Sequence, residues 1–328
     1  MKNRNVIILG GAGYIGTEVS NFFIKKKYKV ITIDNLIYNQ AKPKNQKNFL
    51  FQKLDIDKVE KIEKLISQDD IVIILAGLVG DPVTKKYSVA SKKINENDII
   101  SAIKLCIKKK IEHLVFVSTC SNYGVVKNNE VVNEKSKLNP ISLYAKSKVK
   151  IEKYLQKIKK PKTKITILRF ATAFGLSARM RFDLTINEFI REIFLKNSLE
   201  VYESETWRPY CHVKDFALAI YKVINTKRSK TLEIYNVGSN KNNYTKKMII
   251  QKIGKFLDIN NVKYVNKQKD FRNYRVNFSK IKKNLKLIPK YSVEYGIKEI
   301  INSMKKNNFR YLNKVKDNYG NYKIKKIN

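Results

Sequence analysis

Tyr144 and Lys148 stand four residues apart, the spacing that puts two side chains on one face of a helix. A phenol is a poor base at neutral pH, because its pKa is about 10. A neighbouring ammonium and a positively charged nicotinamide ring would stabilise the phenolate and lower that value. Tyr144 would then take the proton of an alcohol or sugar hydroxyl as a hydride leaves the same carbon. Far upstream, Gly10-Gly11-Ala12-Gly13-Tyr14-Ile15-Gly16 follows the apolar stretch Val6-Ile7-Ile8-Leu9. Glycines at a strand-to-helix junction allow a tight turn, close approach to a pyrophosphate and close helix–strand packing. The spacing reads both as Gly11-x-Gly13-x-x-Gly16 and as Gly10-x-x-Gly13-x-x-Gly16, so it does not choose between dinucleotide-binding families. In this order the two motifs point to a nicotinamide-dependent enzyme.

Asp34 ends the second apolar run, 18 residues past Gly16, with Asn35 after it. A carboxylate there accepts hydrogen bonds from adenosine ribose hydroxyls and repels a 2′-phosphate, so the cofactor is expected to be NAD rather than NADP. Asp55-Ile56 follows the third run and either brackets the adenine or caps a helix; both can hold at once. The stretch Val117-Ser118-Thr119-Cys120-Ser121-Asn122-Tyr123-Gly124 offers a hydroxyl for the substrate oxygen. The chain has only ten arginines against a flood of lysine. Those at Arg179, Arg181, Arg208 and Arg272 either supply the bidentate fork that phosphates favour or form surface salt bridges.

The elements that must position these groups are legible as an alternation. Residues 6–9, 29–33, 49–52, 71–75, 114–117 and 165–168 read as short buried strands, with 234–237 a later one. Residues 14–25, 59–67, 95–108, 141–158 and 213–224 read as helices. Strand and helix in turn predict an α/β fold, a doubly wound parallel sheet of Rossmann type covered on both faces. The expected division is an NAD-binding domain over 1–172, completed by 212–238, a smaller substrate-binding part over 173–211 and 239–312, and a basic tail over 313–328. The polar stretch 305–328 reads as loosely held.

A hydrophobic fraction of 43% describes a globular chain. No apolar run reaches the ~18 residues of a membrane helix. The chain opens almost on its first strand, so no signal peptide is expected. Cys106, Cys120 and Cys211 are too few and scattered for a disulfide framework, and no metal site is expected. A reducing cytoplasm is the expected compartment. The net charge of +40 would attract polyanions, but the lysines are spread over every segment and no nucleic-acid-binding motif appears. Solvated lysine faces are therefore expected, and nucleic acid is not an expected partner. A second class stays open: a non-catalytic Rossmann module that keeps NAD and binds nucleic acid through its charge.

Gly10-x-x-Gly13-x-x-Gly16, the segment from Ser118 to Gly124 and Tyr144-x-x-x-Lys148 resemble those of the extended short-chain dehydrogenase/reductase family. Its members are NAD-dependent nucleotide-sugar epimerases, dehydratases and dehydrogenases. The resemblance runs in order from Val6 to about Tyr274. It implies Thr119, Tyr144 and Lys148 as the catalytic set, with Lys148 also on the nicotinamide ribose. It implies Tyr14 and Ile15 at the pyrophosphate turn, and Leu75-Ala76-Gly77 and Asn95 near the cofactor phosphates. It further implies Thr172, Arg179, Arg181, Asn187, Arg208 and Arg272 at a nucleotide-diphosphate sugar, Arg208 holding the diphosphate in the stretch Arg208 to Asp215. A homodimer through the helices over 95–108 and 141–158 is part of the same implication. The 4,6-dehydratases carry an Asp-Glu pair after the catalytic threonine, where this chain has Cys120-Ser121, so elimination of water is not expected. Members that epimerise at C3 and C5, or make fucose, place a cysteine where this chain has Ser121. Oxidation at sugar C4 remains, either as half of a 4-epimerisation or as a net dehydrogenation. UDP-glucose 4-epimerase-like members and those oxidising GDP-heptoses are both similar to this chain.

Overall fold

The structure is a computed structural model describing residues 4–126, 130–227, 230–266, 272–310, 312 and 319–324. Seven strands form one parallel sheet: β1 (Asn5–Leu9), β2 (Lys29–Asp34), β3 (Phe49–Lys53), β4 (Ile71–Ile74), β5 (His113–Thr119), β6 (Lys164–Phe170) and β7 (Leu232–Val237). Their order across the sheet is β7-β6-β5-β4-β1-β2-β3. The order reverses beside β1, the kind of switch point where α/β sheets bind ligands at the carboxyl ends of their strands.

Side chains alternate across a strand, so each strand feeds two cores. Val6 and Ile8 of β1 pack with Val19 and Phe23 of helix α1 (Tyr14–Lys25) on one face. Ile7 and Leu9 pack on the other with Ile103 and Cys106 of α2 (Ile99–Lys108) and Ile151 and Leu155 of α3 (Leu143–Gln156). A third core, with Phe182 and Tyr210 at its heart, belongs to a second lobe. That lobe contains helix α4 (Thr185–Phe194), helix α5 (Val213–Asn225) leads from it back to the sheet, and helix α6 (Val293–Lys305) packs on it.

Three expectations need correction. The helix expected from residue 95 is a π-helix over Lys93–Asp98 that runs on into α2, a wider turn that usually marks a functional feature. The second lobe holds a strand, Trp207–His212, parallel to Thr172–Phe174 and antiparallel to Asn243–Thr245. The stretch read as loosely held is not so over 319–324: Phe182 N donates to Tyr319 O at 2.8 Å, and Asn321 is buried. Residues 313–318 and 325–328 lie outside the described residues. Among the described residues no helix is long and apolar enough to cross a membrane. All three cysteines are free and buried, and burial raises the Cys106 thiol to about 12 and the other two well above their ordinary value.

Candidate active site

A cavity of about 530 Å³ lies between the carboxyl edge of the sheet and the second lobe, within the size range of small-molecule sites. Its first half is built by the glycine turn. Gly10 has φ +84°, and a Cβ there would stand 2.5 Å from the Ala76 amide nitrogen, so the turn accepts only glycine. A Cβ on Gly16 would meet the Gly10 carbonyl oxygen at 2.6 Å, which lets α1 start hard against β1. Gly13 begins α1 with no side-chain cap, leaving the helix's positive end open to the cavity.

Asp34 closes this half. One oxygen accepts from Ala12 N at 3.0 Å, the other from Leu36 N at 2.8 Å and Gln40 Nε2 at 3.2 Å. Burial raises its pKa, and those amide bonds oppose the rise. Asn35 Nδ2 donates to Asp55 Oδ2 at 2.8 Å, with Ile56 beside them on the wall. A glycine cradle, an uncapped helix start and a carboxylate at the end of β2 fit an adenine dinucleotide.

The second half carries the acid–base groups. Thr119 ends β5, where its Oγ1 accepts from Ser121 N at 3.1 Å. Ser142 caps α3 by accepting from Ala145 N, which starts the helix one residue before Tyr144. Lys148 follows one turn later, 2% exposed, with Nζ donating to Val117 O at 2.8 Å and lying 5.7 Å from the Tyr144 ring centre. Burial lowers its pKa from 10.5 to about 8, with Glu152 pulling the other way. Tyr144 keeps part of its surface open, yet burial pushes its phenol up, opposed by the Arg181 charge. The expected lowering by Lys148 is therefore absent: desolvation of the phenolate dominates, and the charge that opposes it is that of Arg181. A further positive charge over the ring is needed to reverse it.

Behind these groups lies a network the sequence did not reveal. Glu152, fully buried one turn beyond Lys148, accepts from Ser118 Oγ at 2.5 Å, from Asn122 Nδ2 at 2.8 Å and from Arg169 at 2.7 Å. The spacing of Glu152 from Lys148 was the available signal, since it shares the helix face. Arg169 pairs with Ser118 across β5 and β6, so the ion pair fixes the strand end that presents Thr119.

Of the residues expected at the site, all but two line the cavity. Asn95 is turned to the loop after β4, where Oδ1 accepts from Leu78 N at 2.8 Å and Nδ2 donates to Leu78 O at 3.0 Å. It shapes the loop of Leu75, Ala76 and Gly77. Asn187 is also fully buried: Oδ1 accepts from Gly175 N at 3.0 Å, and Nδ2 donates to Arg181 O at 3.0 Å and to Tyr14 Oη at 3.3 Å. Both amides are spent on protein groups, which leaves them as supports of the wall. Toward the second lobe, Arg208 donates to the Trp207 and Arg272 carbonyls and stacks 5.3 Å from the Tyr274 ring centre. Arg272 pairs with Asp81 at 2.9 Å, and Thr172 stands on the second lobe's strand edge. Lys246, Tyr274, Asn321 and Tyr322 also reach the cavity and were missed, because nothing local marks them.

A model of the NAD dependent epimerase/dehydratase family matches residues 6–238. The chain belongs to that family. It is similar to a protein of Methanocaldococcus jannaschii described as uncharacterised, at 29% identity over 92% of this chain and 96% of that one. It is also similar to a UDP-glucuronate 4-epimerase of Thermodesulfobacterium geofontis, at 25% identity over 92% of this chain and 96% of the relative. Among solved structures, the UDP-glucose 4-epimerase of Thermotoga maritima with UDP-glucose matches with a TM-score of 0.80 at 24% identity. It covers 93% of this chain and 100% of its own, and this last likeness is one of fold. The cofactor of the family is NAD, and the glycine turn with Asp34 is where this chain would hold it.

Proposed function

We propose that the chain oxidises the C4 hydroxyl of a nucleoside-diphosphate sugar, as a 4-epimerase or a 4-dehydrogenase. The observation that carries this reading is the meeting of Thr119, Tyr144 and Lys148 in one cavity with the glycine turn on one side and Arg208 and Arg272 on the other. NAD, when bound, supplies the hydride acceptor. Tyr144, ionised to the phenolate, takes the hydroxyl proton on Oη, and Thr119 holds the same substrate oxygen through its hydroxyl. Lys148 binds the nicotinamide ribose and places its charge beside the phenol. Arg208 and Arg272 bind the diphosphate, with Tyr274 between them and Thr172 nearer the sugar. A guanidinium suits this role because its fork matches two phosphate oxygens.

Dehydration is not favoured. The thiol of Cys120, where a dehydratase carries its acid, donates to Arg169 O at 3.2 Å and is buried away from the cavity. A non-catalytic nucleic-acid module would have no use for a buried lysine placed beside a tyrosine. UDP-sugars come first as substrates, because the T. geofontis relative is a UDP-glucuronate 4-epimerase. The test is turnover of UDP- and GDP-sugars bearing deuterium at C4 or at C6. A primary isotope effect from C4 alone, with Tyr144→Phe folded and slowed by about 10²–10⁴-fold, is the expected result. Full activity in Tyr144→Phe would refute the assignment.

A further inference from the structure

Arg179 stands apart from the substrate arginines. Its guanidinium lies 5.4 Å from the ring centre of Tyr38, on the loop after β2, and within charge range of Asp34. The turn that carries it rests on the glycine loop: Ser177 Oγ donates to Tyr14 O at 2.8 Å and meets Thr17 Oγ1 at 2.9 Å. Arg208 and Arg272 form a separate group around Tyr274.

Among the described residues Arg179 has no carboxylate at ion-pair distance. Its neighbour Arg181 takes both oxygens of Asp183, at 3.0 and 2.5 Å. A half-buried guanidinium facing the cavity without a carboxylate suits an anion. Burial and the Arg181 charge accordingly push its pKa down to about 10. The open start of α1 lies under the same turn.

We propose that Arg179 is a cofactor residue whose fork closes on the NAD pyrophosphate from the side opposite α1, held there by residues 319–322. Gly320 O accepts from Arg179 Nη2 at 3.2 Å. Tyr319 is tied to Phe182 N, and Asn321 Nδ2 donates to Val79 O at 3.1 Å. The segment therefore bridges the loop after β4 to the arginine turn, across the top of the cofactor half. This inference rests on the NAD site and not on the sugar-nucleotide reading. The sugar nucleotide carries the same diphosphate chemistry, so the test must separate the two.

Calorimetry on the full chain freed of NAD, with NAD, adenosine and UDP as probes, does so. Arg179→Met should weaken NAD binding by about 10- to 100-fold, the scale of one or two lost charge-assisted hydrogen bonds. Adenosine and UDP should bind the variant as they bind the wild type. Arg179→Lys keeps the charge without the fork and should fall between the two. Asn321→Ala should release NAD faster in stopped flow. Unchanged NAD affinity in a folded Arg179→Met overturns the proposal, as does a loss confined to UDP or an equal loss for adenosine. If Arg179→Met does not fold, wild-type NAD affinity in Arg179→Lys overturns it instead. A wild type that binds no UDP would sink the preference for UDP-sugars, and the NAD and adenosine arms would still decide Arg179.

Discussion

Replacing Lys148 by Met should make the NAD-free protein more stable while destroying its activity. The ammonium is 2% exposed, and burial takes its pKa from 10.5 to about 8. At about 1.4 kcal/mol for each pKa unit, keeping it charged in the folded chain costs about 3 kcal/mol at pH 7. Methionine removes that cost and fills the channel of the lysine stem. It also strips Val117 O of its 2.8 Å partner, a loss of about 1 kcal/mol. The net expectation is a gain of about 2 kcal/mol at pH 7. The pH dependence has a definite sign. Between about pH 8 and 10.5 the unfolded lysine holds its proton while the folded one has released it, so wild-type stability rises with pH in that window. The advantage of Lys148→Met should therefore shrink from pH 8 upward. Urea unfolding of both proteins at neutral and alkaline pH, with NAD affinity and turnover alongside, is the assay. A Lys148→Met protein less stable than wild type at pH 7, or a gap that ignores pH, would refute the reasoning.

Asp34→Ser should weaken NAD binding and admit NADP, and it should also destabilise the chain by about 1–3 kcal/mol, because the carboxylate holds the Ala12 and Leu36 amides. Calorimetry with both cofactors checks this, and a wild type that prefers NADP would overturn it. Glu152→Gln leaves Arg169 buried without its partner charge and should cost about 3–5 kcal/mol in urea unfolding. Replacing both residues by Met should recover most of that loss. A homodimer through α2 and α3 would bring Lys104 and Lys108 near Lys146, Lys150 and Lys153 of the second copy, all exposed in the single chain. We expect such a dimer to tighten as salt screens the repulsion. Sedimentation equilibrium showing a monomer at every ionic strength would exclude it.

The sheet was legible because parallel strands are buried on both faces and read as continuous apolar runs, as Ile71–Ile74 does. The span Tyr14–Lys25 was legible because its glycines and apolar spacing agree. The strand Trp207–His212 was not, since Arg208, Pro209 and His212 break any apolar pattern and its partners lie at Thr172 and Thr245. The family resemblance placed Asn95 and Asn187 at the ligands, and only the fold shows their amides spent on protein groups. The pair proposed as catalytic, Tyr144 and Lys148, was readable from a four-residue spacing. Their supporting Glu152–Arg169 pair joins a helix to the next strand, 17 residues on. Asn321 is harder still, reaching Val79 across 242 residues.

The buried thiols carry a consequence for the bench. Only a thiolate attacks an oxidant or an alkylating reagent. With a pKa of about 12, Cys106 holds about one thiolate in 10⁵ molecules at neutral pH, and burial also raises Cys120 and Cys211 well above their ordinary value. In the folded chain these side chains react slowly with oxidants and alkylating reagents alike. Their reaction with a labelling reagent thus becomes a clock for local opening. Cys106 reports on the face of the sheet beneath α2, and Cys120 on the strand end that presents Thr119. A ligand that closes the cavity should slow the clock at Cys120 and leave Cys106 to keep its own time.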